Sequence, residues 1–234
     1  MTDQQLVTKA QLTIGAGAGP VGPVLLEAGL LVVLAVSPLL AGWSAALAGE
    51  VRAGWWRPRQ VGWRRWATVA AAAVLLTAAA AAGRPWPAWW LFATGAAVLL
   101  AVDAQHHLLP ARLVYPLAVA VAAALTVAAI AGGEWHRLLR AVLAAVVVAA
   151  GWLVVKFAAP AAVGLGDVRL FALTAGLLGW LSWWAVLYGE MVAFVLAGIM
   201  AVLMAVLTPR RPIRGRQVPL GPAIIVGALL VCWL

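Results

Sequence analysis

The fold is decided by an uncharged run, Met191–Thr208, which reads MVAFVLAGIMAVLMAVLT. A helix needs about 20 mostly apolar residues to cross a bilayer, and uncharged runs of about 18 or more are candidates for such helices. The whole chain shares this character, since 66% of its 234 residues are hydrophobic and only 10% are charged. Soluble domains are about a quarter charged on average. The composition therefore excludes an ordinary soluble domain, and its plentiful apolar area excludes intrinsic disorder.

Seven more apolar runs lie between polar residues or between Pro and Gly residues. They are Val24–Leu47, Trp66–Ala82, Ala88–Val102, Leu113–Ala131, Leu138–Ala159, Val168–Leu187 and Leu220–Leu234. The connections are brief, so neighbouring helices should be antiparallel. We therefore predict an all-α fold, a polytopic membrane helix bundle of about eight transmembrane helices.

Residues 1–23 differ from the rest of the chain. They lack the basic-then-apolar pattern of a cleaved signal peptide, and their Gly and Pro residues favour a loosely ordered leader. Residues 24–234 contain all eight apolar runs, and we predict that they form a single transmembrane domain.

The basic residues predict the orientation of the bundle. The chain carries 16 Lys and Arg against 7 Asp and Glu. In a soluble protein this excess would suggest nucleic-acid binding, but in a membrane protein it marks the cytoplasmic loops. One set of loops holds twelve of the basic residues: Arg52, Arg57, Arg59, Arg64, Arg65, Arg112, Lys156, Arg169, Arg210, Arg211, Arg214 and Arg216. The other set holds Lys9, Arg84, Arg137 and Arg140. We therefore predict that the larger set is cytoplasmic, that both termini lie outside, that membrane lipid surrounds the bundle, and that no nucleic acid is bound.

Two of the seven acidic residues stand apart from the others. Asp103 ends the third predicted helix, where an ionised carboxylate is costly without a partner or a purpose and where the helix dipole disfavours its charge. Asp167 precedes the sixth helix in Gly164-Leu165-Gly166-Asp167, where the simpler alternative is an ordinary helix N-cap. The remaining acids fit the leader or the membrane faces: Asp3, Glu27, Glu50, Glu134 and Glu190.

The predicted topology brings Asp103 and Asp167 to the same membrane face, because one ends a helix and the other begins a helix of opposite direction. An aspartic protease needs one protonated carboxyl group and one ionised carboxylate. The ionised group activates a water as general base, and the protonated group polarises the scissile carbonyl. Gly164 and Gly166 leave room for a substrate backbone. We expect Asp103 to be the better proton holder and Asp167 the better base, within one coupled pair.

Four segments resemble motifs of the type IV prepilin peptidases and follow the family's order. Val102–Pro110 (VDAQHHLLP) is similar to the first-aspartate motif, and Gly164–Leu170 (GLGDVRL) resembles the GxGD-x-K-L motif, with Arg in place of the usual Lys. Ala175–Trp180 (AGLLGW) resembles the small-residue helix that follows. Val218–Pro222 (VPLGP) resembles the I-P-F-G-P segment near the C-terminus. The resemblance covers roughly residues 90–234.

The resemblance implies an aspartic endopeptidase that removes the short basic leader from prepilins or pseudopilins at the cytoplasmic face of the bacterial inner membrane. It implies Asp103 and Asp167 as the catalytic pair. Six Gly and Pro residues would shape the site: Gly164, Gly166, Pro110, Pro219, Gly221 and Pro222. Lys156 and Arg169 flank the glycine-rich loop, and they would contact substrate or favour the ionised form of Asp167. Contact with lipid headgroups is the alternative for both.

The segment around Pro219 is expected to depart from regular helix, because proline interrupts the hydrogen-bond ladder. Irregular backbone at membrane depth is tolerated where it lines a cavity. Residues 219–222 are therefore predicted to line the substrate cleft, with a plain helix-entry turn as the alternative.

The chain also departs from the family pattern. Ala111 stands where many members have an acid, so substrate preference could differ. The loop Glu50–Arg65 lacks the paired CxxC motifs with which larger members bind zinc and N-methylate the processed pilin. Cys232 is the one cysteine, and the neighbours His106 and His107 make a poor metal site without a third ligand. We therefore expect a peptidase-only form that uses no metal and no other cofactor.

Two alternative functions stay open. A GxGD intramembrane protease of the presenilin or signal-peptide-peptidase kind would carry Tyr-Asp and Pro-Ala-Leu segments, whereas this chain has Val102-Asp103 and Pro219-Leu220. A small proton-coupled transporter would use the two aspartates as relay groups. It would also need polar residues across the bilayer, and the predicted spans contain almost none. The sequence leaves open the oligomeric state and which prepilin is cleaved.

Overall fold

The structure is a computed structural model that describes six stretches of the chain. They are residues 23–48, 62–82, 85–106, 111–160, 163–207 and 220–233. The predicted leader lies outside these stretches except for its last residue. Eight α-helices occur in them: α1 (Pro23–Ala48), α2 (Trp63–Ala79), α3 (Trp86–His106), α4 (Ala111–Gly132), α5 (Trp135–Ala158), α6 (Leu165–Leu181), α7 (Trp183–Leu207) and α8 (Leu220–Val231). A 3₁₀ turn, Ala80–Ala82, follows α2. The described stretches contain no strand, so the predicted all-α fold is confirmed.

Three helices are long and apolar enough to cross a membrane. They are α4 over Leu113–Gly132, α5 over Trp135–Ala158 and α7 over Trp183–Leu207. Shorter apolar segments occur in α1, α3 and α8. Only 11% of the most apolar window of α5 and of α7 is buried inside the protein. Apolar faces exposed to this extent require lipid around them, so the chain is a helical membrane bundle. The orientation, with both termini outside, stays a prediction.

Helix α6 lies at the centre of the bundle. Ten of its 17 residues are buried, and it packs against α4, α5, α7 and α8. Close contact with α5 occurs at Gly179, where a Cβ would lie 2.6 Å from the Cβ of Ala144. Small residues allow membrane helices to approach this closely. The helix that carries Asp167 is therefore held firmly by its neighbours.

Helices α1 and α2 form a hairpin that packs on α3. Trp66 Nε1 of α2 donates a hydrogen bond to Ser37 Oγ of α1 at 3.0 Å, and Arg65 Nε donates to Ser44 Oγ at 3.1 Å. Such interhelical hydrogen bonds contribute about 0.6 kcal/mol each on average in membranes. The N-terminal hairpin therefore braces the helix that carries Asp103.

The boundary between α6 and α7 differs from the prediction. The hydropathy pattern places one span over Val168–Leu187 and starts the next at Met191, but the chain turns at Ser182, between α6 and α7. Ser182 has an extended backbone (φ −167°, ψ 166°), and its Oγ accepts a hydrogen bond from the backbone N–H of Ala185 at 2.9 Å. A serine N-cap therefore separates the two helices. Hydropathy misses this turn because both flanks are apolar.

As a consequence, Glu190 lies inside α7, as the eighth residue of that helix. Its Oε2 accepts a hydrogen bond from Trp152 Nε1 of α5 at 3.3 Å. The Trp152 ring in turn stacks on Phe171 of α6, with 4.5 Å between centroids. The predicted break between two spans at residues 188–190 is therefore wrong, whereas the location of Glu190 near the outer membrane face stays a prediction. Glu190 is a half-buried carboxyl of a membrane-crossing helix, and such groups need a polar partner of this kind.

Arg140 of α5 caps the C-terminal end of α6. Its Nε donates to the carbonyl oxygen of Gly179 at 2.6 Å. Its Nη2 donates to the carbonyl oxygens of Trp180 at 2.6 Å and of Leu181 at 2.8 Å. The last carbonyls of a helix lack partners within that helix, and a cation is favourable at this end of the dipole. Arg140 therefore fixes the end of α6 opposite Asp167.

We expect Arg140→Gln to lower the free energy of unfolding by about 2 kcal/mol, because several charge-assisted hydrogen bonds to backbone carbonyls are lost. Arg137→Gln is the matched control, since Arg137 lies on the same helix and pairs with Glu134 at 2.8 Å at a partly exposed site. Such pairs contribute less than about 1 kcal/mol. Thermal unfolding in detergent micelles checks both variants, and equal melting temperatures for the two would contradict the capping role.

Candidate active site

Asp167 is the third residue of α6, and its carboxylate turns back to the residue before the helix. Asp167 Oδ2 accepts a hydrogen bond from the backbone N–H of Gly164 at 3.1 Å. Gly164 is the N-cap, with φ −77° and ψ 148°. Asp167 is therefore not the N-cap residue, but its carboxylate caps the start of α6 from the third position, as in a capping box. A carboxylate in the first turn of a helix is stabilised in its charged form by the helix dipole.

Gly164 leaves no room for a side chain beside this carboxylate. A Cβ at Gly164 would lie 2.9 Å from Asp167 Oδ2, which is closer than real Cβ contacts. The first glycine of the Gly164-Leu165-Gly166-Asp167 motif thus sets the position of the carboxylate, besides the access to substrate that the sequence suggests. Gly166 is the second residue of α6.

Asp103 lies in the last turn of α3, three residues before the C-terminal end of the helix at His106. Its side chain lies outside the part of the chain that the structure describes. The backbone shows where that end of α3 sits, because His106 and the start of α4 at Ala111 are five residues apart. Five residues span at most about 18 Å.

The starts of α4 and α6 are joined directly by Tyr115 and Arg169. Arg169 Nε donates a hydrogen bond to Tyr115 Oη at 3.0 Å, and the guanidinium carbon lies 5.0 Å from the centroid of the Tyr115 ring. Each residue lies in the second turn of its helix. The end of α3, the start of α4 and the start of α6 therefore lie at one end of the bundle. The backbones of Asp103 and Asp167 share that end.

Tyr115 does not appear among the residues predicted from the sequence. No signal in the sequence points to it, because its contact with Arg169 joins residues 54 positions apart. Lys156, in the last turn of α5, donates a hydrogen bond from its Nζ to the carbonyl oxygen of Pro160. Contact of Lys156 and Arg169 with substrate stays a prediction.

The remaining predicted residues divide into two groups. Pro110 and Pro219 lie outside the described residues. Gly221 and Pro222 lie in the first turn of α8, which begins at Leu220. Proline fits the first turn of a helix because its missing N–H would have no partner there. The expectation of irregular backbone is therefore wrong for residues 220–222, which form the plain helix start named as the alternative. The role of Gly221 and Pro222 in shaping the site stays a prediction.

The family of the chain follows from the sequence of these helices. A family model, that of the type IV leader peptidase family, matches residues 90–206. The chain belongs to the type IV leader peptidase family. The match runs from α3 into α7 and includes both Asp103 and Asp167, so the predicted resemblance to this family is confirmed, and with it a leader-peptidase-like protease. The match to the type IV leader peptidase family ends before α8, and the VPLGP segment lies outside it.

No curated protein and no solved structure gives a match. The described residues contain no group of three or more His, Cys, Asp and Glu side chains that could hold a metal ion.

Proposed function

We propose that this chain is a membrane-embedded aspartic endopeptidase that removes the basic leader from type IV prepilins or pseudopilins at the cytoplasmic face of the bacterial inner membrane. Asp103 and Asp167 are its catalytic pair. The observation that carries the proposal is the family match, which contains both aspartates and spans the helices whose ends share one side of the bundle.

Asp167 is the general base of the pair. Its position in the first turn of α6 and the hydrogen bond from the Gly164 N–H favour the ionised carboxylate. The base takes a proton from a water, whose oxygen then bonds to the carbonyl carbon of the residue before the cut. The environment of the carboxylate thus supports the role that the sequence suggests for it.

Asp103 is the general acid. It lies in the last turn of α3, where the helix dipole disfavours a negative charge. Its proton passes to the carbonyl oxygen as the tetrahedral intermediate forms. The intermediate collapses when the C–N bond breaks and the leaving nitrogen accepts the proton held by Asp167. At the same time the Asp103 carboxylate takes a proton back from one of the two hydroxyls, which becomes the carbonyl oxygen of the new carboxyl group. Free leader and mature pilin are the products, and no covalent enzyme intermediate forms.

The chain acts as a peptidase without a methyltransferase activity. The loop Glu50–Arg65 contains no cysteine, and Cys232 is the one cysteine of the chain. N-methylation of the new pilin terminus therefore requires a separate enzyme or does not occur.

The test is cleavage of a prepilin by the purified protein in proteoliposomes. The substrate is a small protein with a basic leader, a glycine and a following hydrophobic stretch. The expected product begins directly after the glycine, as read by N-terminal sequencing, and a substrate with Val at that glycine stays intact. An intact wild-type substrate, together with aspartate-dependent proton flux in the same vesicles, would contradict the peptidase and favour the transporter.

A further inference from the structure

A membrane-facing groove runs along α6 on the side away from the proposed catalytic pair. Its volume is about 390 Å³. The walls include Ala118 and Ala122 of α4, Ala145 of α5, and Ala172 and Gly176 of α6. We call this feature the α4–α6 groove. Its lining is almost entirely apolar and includes several small residues besides larger aliphatic ones.

One end of the α4–α6 groove is polar. Tyr115 and Arg169 line it there, where they join the starts of α4 and α6. An Arg guanidinium has five N–H donors in a planar fork that matches phosphate, and the Tyr115 hydroxyl uses the Nε donor. Because an α-helix has 3.6 residues per turn, Arg169 lies about 200° around α6 from Asp167. The groove and the carboxylate thus occupy opposite faces of the same helix.

We propose that the α4–α6 groove binds one anionic phospholipid, with an acyl chain along its apolar lining and the phosphate on Arg169. The shape and charge of the groove carry this assignment. An apolar groove that opens towards the membrane fills with an acyl chain, because an empty groove forfeits the dispersion contacts of its walls. The cation stands at the end of the bundle where α3, α4 and α6 meet, which is the depth of lipid headgroups beside a membrane-crossing helix. Charge-assisted hydrogen bonds between Arg and phosphate are strong and directional.

The lipid would hold α4 against α6 where the two helices leave a gap. It contacts walls on α4, α5 and α6 together, so its loss would loosen the attachment of α4. This role does not depend on the proposed peptidase activity, since the groove lies on the face of α6 away from Asp167.

The first test uses a pair of charge variants in native mass spectrometry with phosphatidylglycerol. Arg169→Gln is expected to weaken binding about tenfold, the loss typical of one charge-assisted hydrogen bond. Arg64→Gln is the matched control, because Arg64 is exposed at the start of α2 and its guanidinium lies over the Trp63 ring, away from the groove. Tyr115→Phe keeps the charge of Arg169 and should retain the lipid. Equal binding by the Arg169 and Arg64 variants would overturn the proposal.

The second test fills the groove and needs no change of charge. Ala122→Trp should displace the retained phospholipid, whereas Ala123→Trp should keep it, because Ala123 is the exposed neighbour on α4 that does not line the groove. Equal lipid retention by the two variants would overturn the assignment. A photocrosslinker at position 122 should capture phospholipid. Capture of a second copy of the chain, or of a hydrophobic peptide helix in preference to lipid, would overturn it as well.

Discussion

Asp167→Asn should lower prepilin cleavage by about 10³-fold or more, because the amide cannot take a proton from the attacking water. Asp103→Asn should have an effect of similar size, since an amide has no acidic proton to give to the carbonyl oxygen. The double variant should be hardly worse than either single variant, because residues that act as one unit lose their contribution together. Cleavage of a prepilin in membranes that contain equal amounts of each protein measures these losses.

Glu190→Gln is the matched control for the two aspartates. It also removes a carboxylate from a membrane-crossing helix, but the amide can still accept the hydrogen bond from Trp152 that the carboxylate accepts at 3.3 Å. We expect this variant to cleave at the wild-type rate. Near-wild-type cleavage by Asp103→Asn or by Asp167→Asn would remove that residue from the catalytic pair.

Gly164→Ala should lower cleavage by about 100-fold while the protein stays folded. The backbone angles of Gly164 (φ −77°, ψ 148°) suit alanine, so the helix start is not strained. The new methyl group would stand 2.9 Å from Asp167 Oδ2, so the carboxylate must move and its hydrogen bond to the Gly164 N–H is disturbed. A displacement of about 1 Å in a catalytic group can cost about 10²-fold in rate.

Gly198→Ala in α7 is the control for this substitution, because nothing lies within 4 Å of a Cβ there. It should leave the cleavage rate unchanged and should not lower the melting temperature, because alanine favours a helix interior over glycine. If Gly164→Ala cleaves as fast as Gly198→Ala, the position of the Asp167 carboxylate does not limit the reaction. A large fall in melting temperature of Gly164→Ala would instead show that the glycine acts through stability.

The helices could be predicted from the sequence because lipid imposes a simple rule on apolar runs, and the eight runs correspond to the eight helices of the described stretches. The rule fails at Ser182, where the turn depends on a side-chain hydrogen bond to Ala185 and on the cap that Arg140 provides from another helix. A hydropathy profile carries no information about either of these interactions. For the same reason the hydropathy pattern places Glu190 between two helices, although it lies in α7 and contacts Trp152.

The sequence singles out two acids and the helix ends that carry them, and their role as a catalytic pair stays a prediction. Acids are scarce in this chain, so Asp103 and Asp167 stand out, and antiparallel topology relates the ends of α3 and α6. The local geometry was not predictable, since the hydrogen bond from Gly164 to Asp167 depends on which residue begins α6. The contact of Tyr115 with Arg169 could not be predicted either, because it joins residues 54 positions apart.

The most direct test of the central claim is the proximity of positions 103 and 167 in the native membrane. Cys232 is the one natural cysteine, so Asp103→Cys and Asp167→Cys in a Cys232→Ser background give one defined thiol pair. The positive control is the pair Ala145→Cys and Gly176→Cys, whose Cβ atoms would lie 3.6 Å apart. The negative control is the pair Asp167→Cys and Leu181→Cys, which lie about 21 Å apart along α6. A short bifunctional thiol reagent should cross-link positions 103 and 167. Failure of that pair to react, while the positive control reacts fully, would contradict a shared catalytic site.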